Sequence, residues 1–280
     1  CDIAIDSWGV CIFEDIIQVP LANSVDYIAA IQSIILKFEI DLFIPSSEAE
    51  IKVLNNLNDS ADCVLKCPVL MADSNTIDIA LDKYTTANFL KDNQLNSPWT
   101  LDAEHNVPKE LPCMFKPRSG QGSKGIEIVP DLGRARELQG TRGYIFQELL
   151  IPDDQEYTCG VFRGENLATR VILFNRTLDG GLTGKGTVVE NVEIETYIRN
   201  IAEALDLKGA INMQLRLTSK GPVLFEINPR LSSTVVFRHK LGFNDLIWAL
   251  DELAGEVPST YIPPKAGTEF YRGYAEYFDN

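Results

Sequence analysis

Two strand-like runs joined by a short turn constrain the fold of this chain most. The runs read AINMQLRL and PVLFEINP, and TSKG separates them. Because side chains alternate faces along a strand, the runs predict an antiparallel hairpin with one polar face. A turn centred on Lys220 sets Gln214 opposite Glu226, and the same register sets Asn212 opposite Asn228. A slip of one residue would set polar side chains opposite apolar ones, which burial disfavours.

A row of polar side chains follows this second run. Period two places Leu224, Glu226 and Asn228 on one face, with Arg230 just beyond its end. Carboxylate and amide oxygens suit a hard cation such as Mg²⁺. One acid with two amides, Asn228 and Gln214, neutralises a divalent ion poorly, so the row favours a metal bound as its nucleotide complex. An ion pair of Glu226 and Arg230 at a strand end explains the same row.

A glycine-rich loop precedes these strands in the chain. SGQGSKG contains the spacing G-x-G-x-x-G at Gly120, Gly122 and Gly125. A dinucleotide site needs a helix after the glycines, but IEIV indicates a strand. A protein kinase needs HRD and DFG, which the chain lacks. The remaining interpretations are a hairpin tip that covers phosphates with Arg118 and Lys124, or a surface hairpin with a glycine turn.

Other segments give a coarse order of elements. CDIAID, VDYIAAIQSIILKF and DLFIPSSEAE read as strand, helix and strand, which is typical of a parallel sheet. A helix is predicted from Asp82 to Asn93. NSPWTLDAEHNVPKELP is interpreted as an irregular connection, and DGGLTGKG as a mobile loop and a candidate substrate lid.

The composition excludes several classes of partner. The chain has 280 residues and a formal net charge of −15, which argues against general binding to nucleic acid. It contains no apolar run of about 18 residues, so no membrane partner is expected. Six cysteines without a zinc-like spacing, and only two histidines, favour reduced thiols in a cytoplasmic protein.

Four motifs together resemble a known family. KPRSGQGSKG, QELL with EYT, INMQLR and LFEINPR stand in the order and spacing of the ATP-grasp superfamily. FEINPRLSSTVVFRHKLGF is most similar to the branch of the carbamoyl-phosphate synthase large subunit. The resemblance implies a mixed α+β and α/β chain: an ATP-grasp fold preceded by a truncated, Rossmann-like preATP-grasp domain. The expected preATP-grasp domain is residues 1–80, without its first strand. The expected ATP-grasp domain is residues 81–280, with a lid subdomain at about 100–150 and a C-terminal subdomain at 151–280.

The same resemblance implies roles for individual residues. Lys83 and Lys116 are expected to contact the phosphates of the nucleotide, and Gly122, Ser123, Lys124 and Gly125 to form a lid over them. Gln147, Glu148 and Leu150 are expected to form the hinge that binds adenine. Glu156 is expected to accept from the ribose hydroxyls. Those expected at Mg²⁺ or Mn²⁺ are Gln214, Glu226 and Asn228. Arg230 and Lys124 are the expected catalytic residues, with Arg230 holding either the γ-phosphate or the reacting carboxylate. Arg238 and His239 are candidates for the acceptor pocket, with a surface arginine and a helix-capping histidine as the alternative.

The implied activity is an ADP-forming ligase that uses Mg-ATP. A small-molecule carboxylate would become an acyl phosphate, which an amine or thiol would then attack. A small-molecule kinase and a nucleotide-binding protein without turnover remain alternatives. A carbamoyl phosphate synthase itself is not expected, because the chain is too short for the duplicated synthetase and its partner domains. A homodimer is possible within such a family.

Overall fold

The computed structural model describes residues 1–4, 8–57, 61–120, 125–273 and 275. Within these residues two antiparallel sheets carry the fold. The helices are α1 Tyr27–Phe38, α2 Glu48–Asn55, α3 Ala61–Leu65, α4 Ser74–Ala80, α5 Lys83–Asp92, α6 Leu132–Leu138, α7 Val192–Ala204, α8 Val235–Lys240 and α9 Asp245–Leu253. The strands are β1 Thr100–Asp102, β2 Cys113–Pro117, β3 Glu127–Val129, β4 Tyr144–Glu148, β5 Glu156–Arg163, β6 Thr169–Asp179, β7 Leu182–Val188, β8 Gly209–Thr218, β9 Gly221–Asn228 and β10 Glu269–Tyr271.

The smaller sheet has four strands in the order β1-β4-β2-β3. Cys113 of β2 pairs with Val129 of β3, which confirms the two strands predicted on either side of the glycine loop. The prediction of an irregular connection before β2 was wrong, because Thr100 to Asp102 pair with β4 as a short strand. Phe115 and Phe146, with ring centroids 5.3 Å apart, stand in the apolar core of this sheet.

The larger sheet has six strands in the order β10-β7-β6-β5-β8-β9. The helix α7 covers one face of it, because Ile194, Tyr197, Ile198 and Ile201 recur with helical spacing and are buried in the core. Asn191 begins this helix by accepting a hydrogen bond from the backbone N–H of Ile194. The opposite face is partly covered as well, because α9 packs there on β5 and β8 over a second apolar cluster, and only the remainder of that face is left for a site.

The predicted hairpin register is confirmed in β8 and β9. Gln214 lies opposite Glu226, and Asn212 lies opposite Asn228. The pairing continues to Thr218 and a two-residue turn that includes Lys220. Burial on the helix side is therefore sufficient to select this register.

A β-bulge in β9 overturns one detail of that prediction. Leu215 pairs with Leu224 while the preceding β8 residue pairs with Glu226, so Phe225 is an extra residue in the strand. The bulge breaks the period of two. Simple alternation predicted that Leu224 shares the face of Glu226. Because of the bulge, Leu224 is instead fully buried in the core on the helix side.

The predicted mobile loop DGGLTGKG is instead a hairpin. It forms the end of β6, a turn at Gly180 and Gly181, and β7. Both turn glycines have positive φ, at 57° and 84°, a conformation that side chains disfavour. A Cβ at Gly186 would stand 2.3 Å from Cζ of Phe270 on β10. The glycines therefore serve a tight turn and close strand packing. A role of this hairpin as a substrate lid remains a prediction.

The N-terminal part contains α1 as predicted but less strand than predicted. Single parallel bridges join Asp2 to Gln18 and Phe43 to Val69. Residues 5 and 6 of the first expected strand, CDIAID, lie outside the described residues. The strand expected across DLFIPSSEAE was wrong beyond the bridge, because Ser47 caps α2, which begins at Glu48. A Rossmann-like preATP-grasp domain remains a prediction.

None of the helices in the described part of the chain has both the length and the apolar character needed to cross a membrane.

Candidate active site

A cleft of about 910 Å³ lies between the two sheets. Strands β2 and β4 of the smaller sheet form one wall, and β5, β6, β8 and β9 form the other. The fold brings ten of the predicted site residues to this cleft: Lys83, Lys116, Gln147, Glu148, Leu150, Glu156, Gln214, Glu226, Asn228 and Arg230.

The predicted phosphate lid is only partly described. Gly122, Ser123 and Lys124 lie outside the described residues. Gly125 is described and has a φ of +71°. A Cβ there would stand 3.0 Å from the Tyr144 hydroxyl, so the position favours glycine for backbone reasons and for space. Gly125 is not part of the cleft wall.

Arg238 and His239, the two acceptor-pocket candidates, do not reach the cleft. Both stand on α8. Arg238 is completely buried and forms an ion pair of 2.5 Å with Asp245. His239 faces solvent and does not line the cleft. The spacing of these residues after the polar row did not reveal that α8 directs Arg238 over Gly160 of β5, beyond the end of the cleft.

Lys83 links three parts of the cleft. It is the first residue of α5, where the helix dipole is positive. Its Nζ stands 3.0 Å from Oε1 of Glu226 and donates to the carbonyl of Gly120 at 2.8 Å. The start of the glycine loop, a helix N-terminus and the polar row of β9 therefore meet at one ammonium group.

Lys116 is a buried cation in the opposite wall. Burial lowers its pKa to about 8, and the positive charge of Lys83 adds to this effect. Glu226 and Glu156 oppose the shift. The bulge turns Phe225 toward this wall, with its ring centroid 5.7 Å from the lysine Nζ. An incoming anion would complete the environment of this ammonium.

Glu156 lies between two arginines at the hinge end of the cleft. Arg176 reaches its Oε1 at 2.7 Å, and Arg216 reaches its Oε2 at 2.9 Å. Arg216 also donates to the carbonyl of Leu150. Arg176 donates further to Oε1 of Gln214 at 2.8 Å. Glu156 is thus held by side chains at both oxygens, and a ribose contact remains a prediction.

The predicted hinge residues have partners in the smaller sheet. Gln147 is buried and donates from Nε2 to the Thr100 hydroxyl at 2.9 Å. Glu148, the last residue of β4, pairs with Lys220 at 3.0 Å. The chain then leaves the sheet at Leu150, beside the cleft.

The donor set fits a hard cation held together with phosphates. Glu226 offers one carboxylate, and Asn228 stands two positions further along β9. The Nδ2 of Asn228 is buried without a hydrogen-bond partner in the described part of the chain, and its Oδ1 accepts only from Arg230 at 3.2 Å. Gln214, the third predicted ligand, has its oxygen engaged by Arg176. Glu226 and Asn228 therefore remain the stronger candidates for Mg²⁺.

Glu48 is a member of the site that sequence reasoning missed. It stands in the first turn of α2, and its carboxylate is 3.7 Å from the guanidinium of Arg230. Burial raises the pKa of Glu48 and Glu226 adds to this, whereas Arg230 and Lys83 lower it. The Ser47 capping box marked a helix start in the sequence, but nothing local indicated that this start faces β9.

Arg176 and Arg216 were also missed as site residues. Arg216 belongs to the polar alternation of β8 with Asn212 and Gln214, and that pattern offered a usable signal. Arg176 lies at the polar end of an apolar strand, β6. Its contact with Glu156 depends on strand order, which the local pattern does not give.

The fold of this chain is the ATP-grasp fold. It superposes on N5-carboxyaminoimidazole ribonucleotide synthetase from Thermus thermophilus with a TM-score of 0.71 and 15% identity, covering 94% of this chain and 73% of that one. L-amino acid ligase from Bacillus licheniformis superposes with a TM-score of 0.66 and 17% identity, over 84% of this chain and 62% of that one. The biotin carboxylase domain of the Hydrogenobacter thermophilus 2-oxoglutarate carboxylase, crystallised with MgADP and bicarbonate, superposes with a TM-score of 0.67 and 14% identity. That superposition covers 86% of this chain and 60% of that one.

Sequence comparison places the same domain in the C-terminal half. Residues 145–272 match the family described as "ATP-grasp in the biosynthetic pathway with Ter operon". The chain is 28% identical over 156 residues to human carnosine synthase 1, a match that covers 46% of this chain. It spans only 19% of that protein's length. Residues 145–272 therefore match an ATP-grasp family and the chain has the ATP-grasp fold, in agreement with its motifs.

Proposed function

We propose that the cleft binds Mg-ATP and activates a small-molecule carboxylate for attack by an amine. The observation that carries this proposal is the convergence of Lys83, Lys116, Glu226 and Arg230 in one cleft, from three separate segments: α5, β2, and β9 with the residues directly after it. Phosphoryl transfer needs positioning and charge neutralisation more than a covalent nucleophile. Three cations beside one metal-binding acid supply those two requirements.

The nucleotide is proposed to lie along the cleft with its adenine at residues 148–150. The phosphates then point toward Lys83, Lys116 and Arg230. Glu226 and Asn228 would hold Mg²⁺, which neutralises phosphate charge when bound. A phosphate beside Lys116 raises the pKa of its ammonium again, so binding favours its protonated form.

The proposed reaction balances in two steps. A carboxylate oxygen attacks the γ-phosphorus, an O–P bond forms, and the bond from phosphorus to the β–γ bridging oxygen breaks to release ADP. The amine nitrogen then attacks the acyl carbon, inorganic phosphate leaves with the acyl oxygen, and the nitrogen loses a proton. Arg230 would hold the transferred group or the carboxylate, since its guanidinium donates in a fixed planar pattern.

The similar proteins support a ligase over other ATP-dependent activities. One is described as an L-amino acid ligase and one as a carnosine synthase. The alternatives are a kinase that phosphorylates a small molecule and a nucleotide-binding protein without turnover. A kinase would leave a stable phosphorylated product, whereas an acyl phosphate is trapped by hydroxylamine as a hydroxamate.

The test combines Mg-ATP, a panel of carboxylic acids and hydroxylamine, with ADP and hydroxamate as readouts. Wild-type protein is expected to form both products with at least one acid. Glu226→Gln is expected to lower turnover by about 10²-fold, since it weakens the hold on Mg²⁺, the cation that would neutralise the developing negative charge. Glu203→Gln, an exposed acid on α7, is the matched control and should leave turnover unchanged.

Each outcome separates the candidate functions. ADP with hydroxamate supports the ligase. ADP with a stable phosphorylated product and no hydroxamate supports the kinase. Binding of Mg-ATP without consumption across the panel supports a nucleotide-binding protein. Absence of any nucleotide binding overturns all three.

A further inference from the structure

A buried polar cluster lies beneath one end of the cleft. At its centre Arg238 and Asp245 are both completely buried and paired at 2.5 Å. The guanidinium stem passes over Gly160 of β5, where a Cβ would stand 2.3 Å from Cδ of Arg238. Burying an ion pair is costly unless its other donors find partners. Nη1 of Arg238 finds them in the same cluster, whereas its Nε has no hydrogen-bond partner in the described part of the chain.

Arg238 directs its free donors toward the cleft wall. Its Nη1 donates to the hydroxyls of Ser232 and Thr234, each at 2.8 Å. It also stands 3.4 Å from Oδ1 of Asn212. These three partners all line the cleft, although Arg238 does not. Asp245 balances the positive charge of Arg238, and the three side chains that stand between this ion pair and the cleft are neutral.

The orientation of the Asn212 amide follows from its partners. Its Oδ1 faces three donors: it accepts from the Thr158 hydroxyl at 3.1 Å and the Ser232 hydroxyl at 3.0 Å, and Nη1 of Arg238, whose two N–H groups point mainly at the hydroxyls, makes a longer, shared contact at 3.4 Å. Arginine can only donate, so the atom facing this cluster must be the oxygen. The Nδ2 group donates to no residue in the described part of the chain. Two N–H donors are therefore left on a side chain that borders the cleft.

Asn212 stands at the end of the cleft opposite the hinge. Arg216 of β8 contacts the hinge carbonyl of Leu150. Asn212 precedes Arg216 by four residues on the same strand, so the two backbone positions are about 13 Å apart. Asn212 is also the direct neighbour of Asn228 across the strands. Adenine at the hinge and metal at Asn228 thus leave the reacting end of the cleft to Asn212.

We propose that Asn212 contacts the carboxylate substrate through its Nδ2 group, and that Arg238 is the positioning residue that fixes the Asn212 amide. The inference rests on the proposed ligase function and adds a specificity-determining donor to it. The ligand it requires is an oxygen acceptor, supplied by the acid that is activated.

The test is Asn212→Asp, assayed with the carboxylic acid that wild-type protein converts best to hydroxamate. Aspartate keeps an oxygen for the three donors, so the buried cluster is retained. It replaces the Nδ2 donors with an anionic oxygen, so the KM for the acid is expected to rise about 10- to 100-fold. The KM for ATP is expected to stay within about twofold. Asn93→Asp, an exposed change of the same charge at the end of α5, is the control.

Arg238→Lys tests the positioning role separately. Lysine keeps a positive charge for Asp245 but cannot reproduce the planar pattern of donors. A selective rise in the KM for the acid, with an unchanged KM for ATP, supports positioning. A lower melting temperature and kcat without a selective change in KM shows a structural role only and overturns the assignment of Arg238.

The two proposals fail in distinguishable ways. Turnover by wild-type protein with an unchanged KM for the acid in Asn212→Asp overturns the Asn212 contact and leaves the ligase function intact. A rise in the KM for ATP instead of the acid places Asn212 at the nucleotide and also overturns it. Absence of turnover by wild-type protein overturns both proposals.

Discussion

Replacing Lys116 by methionine is expected to stabilise the protein in the absence of nucleotide. Burial and the charge of Lys83 lower the pKa of Lys116 from 10.5 to about 8. At about 1.4 kcal/mol per pKa unit, the charged form is disfavoured by about 3 kcal/mol in the folded state. Methionine removes that penalty and keeps an unbranched apolar side chain in the wall.

The stability advantage expected for the methionine variant decreases as the pH rises. The folded pKa lies below the unfolded value, so between pH 8 and pH 10.5 the unfolded chain binds a proton that the native state does not. Wild-type stability therefore rises with pH across this window. The advantage of the variant should be about 3 kcal/mol at pH 7, about 2 kcal/mol at pH 9 and less than about 0.5 kcal/mol at pH 10.5.

Chemical denaturation of both proteins at these pH values measures the difference. Lys91→Met, an exposed change on α5, is the control and should shift stability by less than about 0.5 kcal/mol throughout. A variant less stable than wild type at pH 7, or an advantage that does not shrink toward pH 10.5, would refute the reasoning. The same variant should bind Mg-ATP more weakly, because a stabilising change here removes a phosphate contact.

Three further outcomes follow from other contacts. Gly160→Ala should lower the free energy of unfolding by about 1–3 kcal/mol, because its Cβ would stand 2.3 Å from Arg238, whereas Gly273→Ala has open space and should have little effect. Asp245→Ala should cost about 3–5 kcal/mol in denaturation experiments, since it leaves Arg238 buried without its counter-charge, and a loss below about 1 kcal/mol contradicts this. Binding of MgADP at pH 8 should take up about half a proton through Lys116, measured by calorimetry in buffers of different ionisation enthalpy, and proton release would contradict the placement of phosphate there.

The hairpin register was predictable because one side of the sheet is buried. Gln214 and Glu226 meet as expected, since any slip would move apolar side chains into the cleft. The position of Leu224 was not predictable in this way, because a bulge adds one residue without any local signature in an apolar run. The glycines of DGGLTGKG suggested mobility, yet Gly186 is required by a phenylalanine more than 80 residues further along the chain.

The parts of the site that depend on long-range packing could not be predicted from the sequence. Glu48 reaches Arg230 only because α2 packs beside the end of β9, and no spacing in the sequence encodes that contact. Arg238 had the right position in the chain to serve as an acceptor-pocket residue. Its helix, however, directs the side chain into the protein behind the wall, and only the three-dimensional arrangement shows it.

The charges of the cleft have a kinetic consequence. Among its described lining residues are five basic and three acidic side chains, in a molecule whose formal net charge is −15. An anionic nucleotide approaching from solution therefore first meets a repulsive field and enters an attractive one only at the cleft mouth. Salt screens the distant repulsion more than the short-range attraction inside. Moderate ionic strength should then accelerate nucleotide association, opposite to the behaviour of a uniformly basic binding protein.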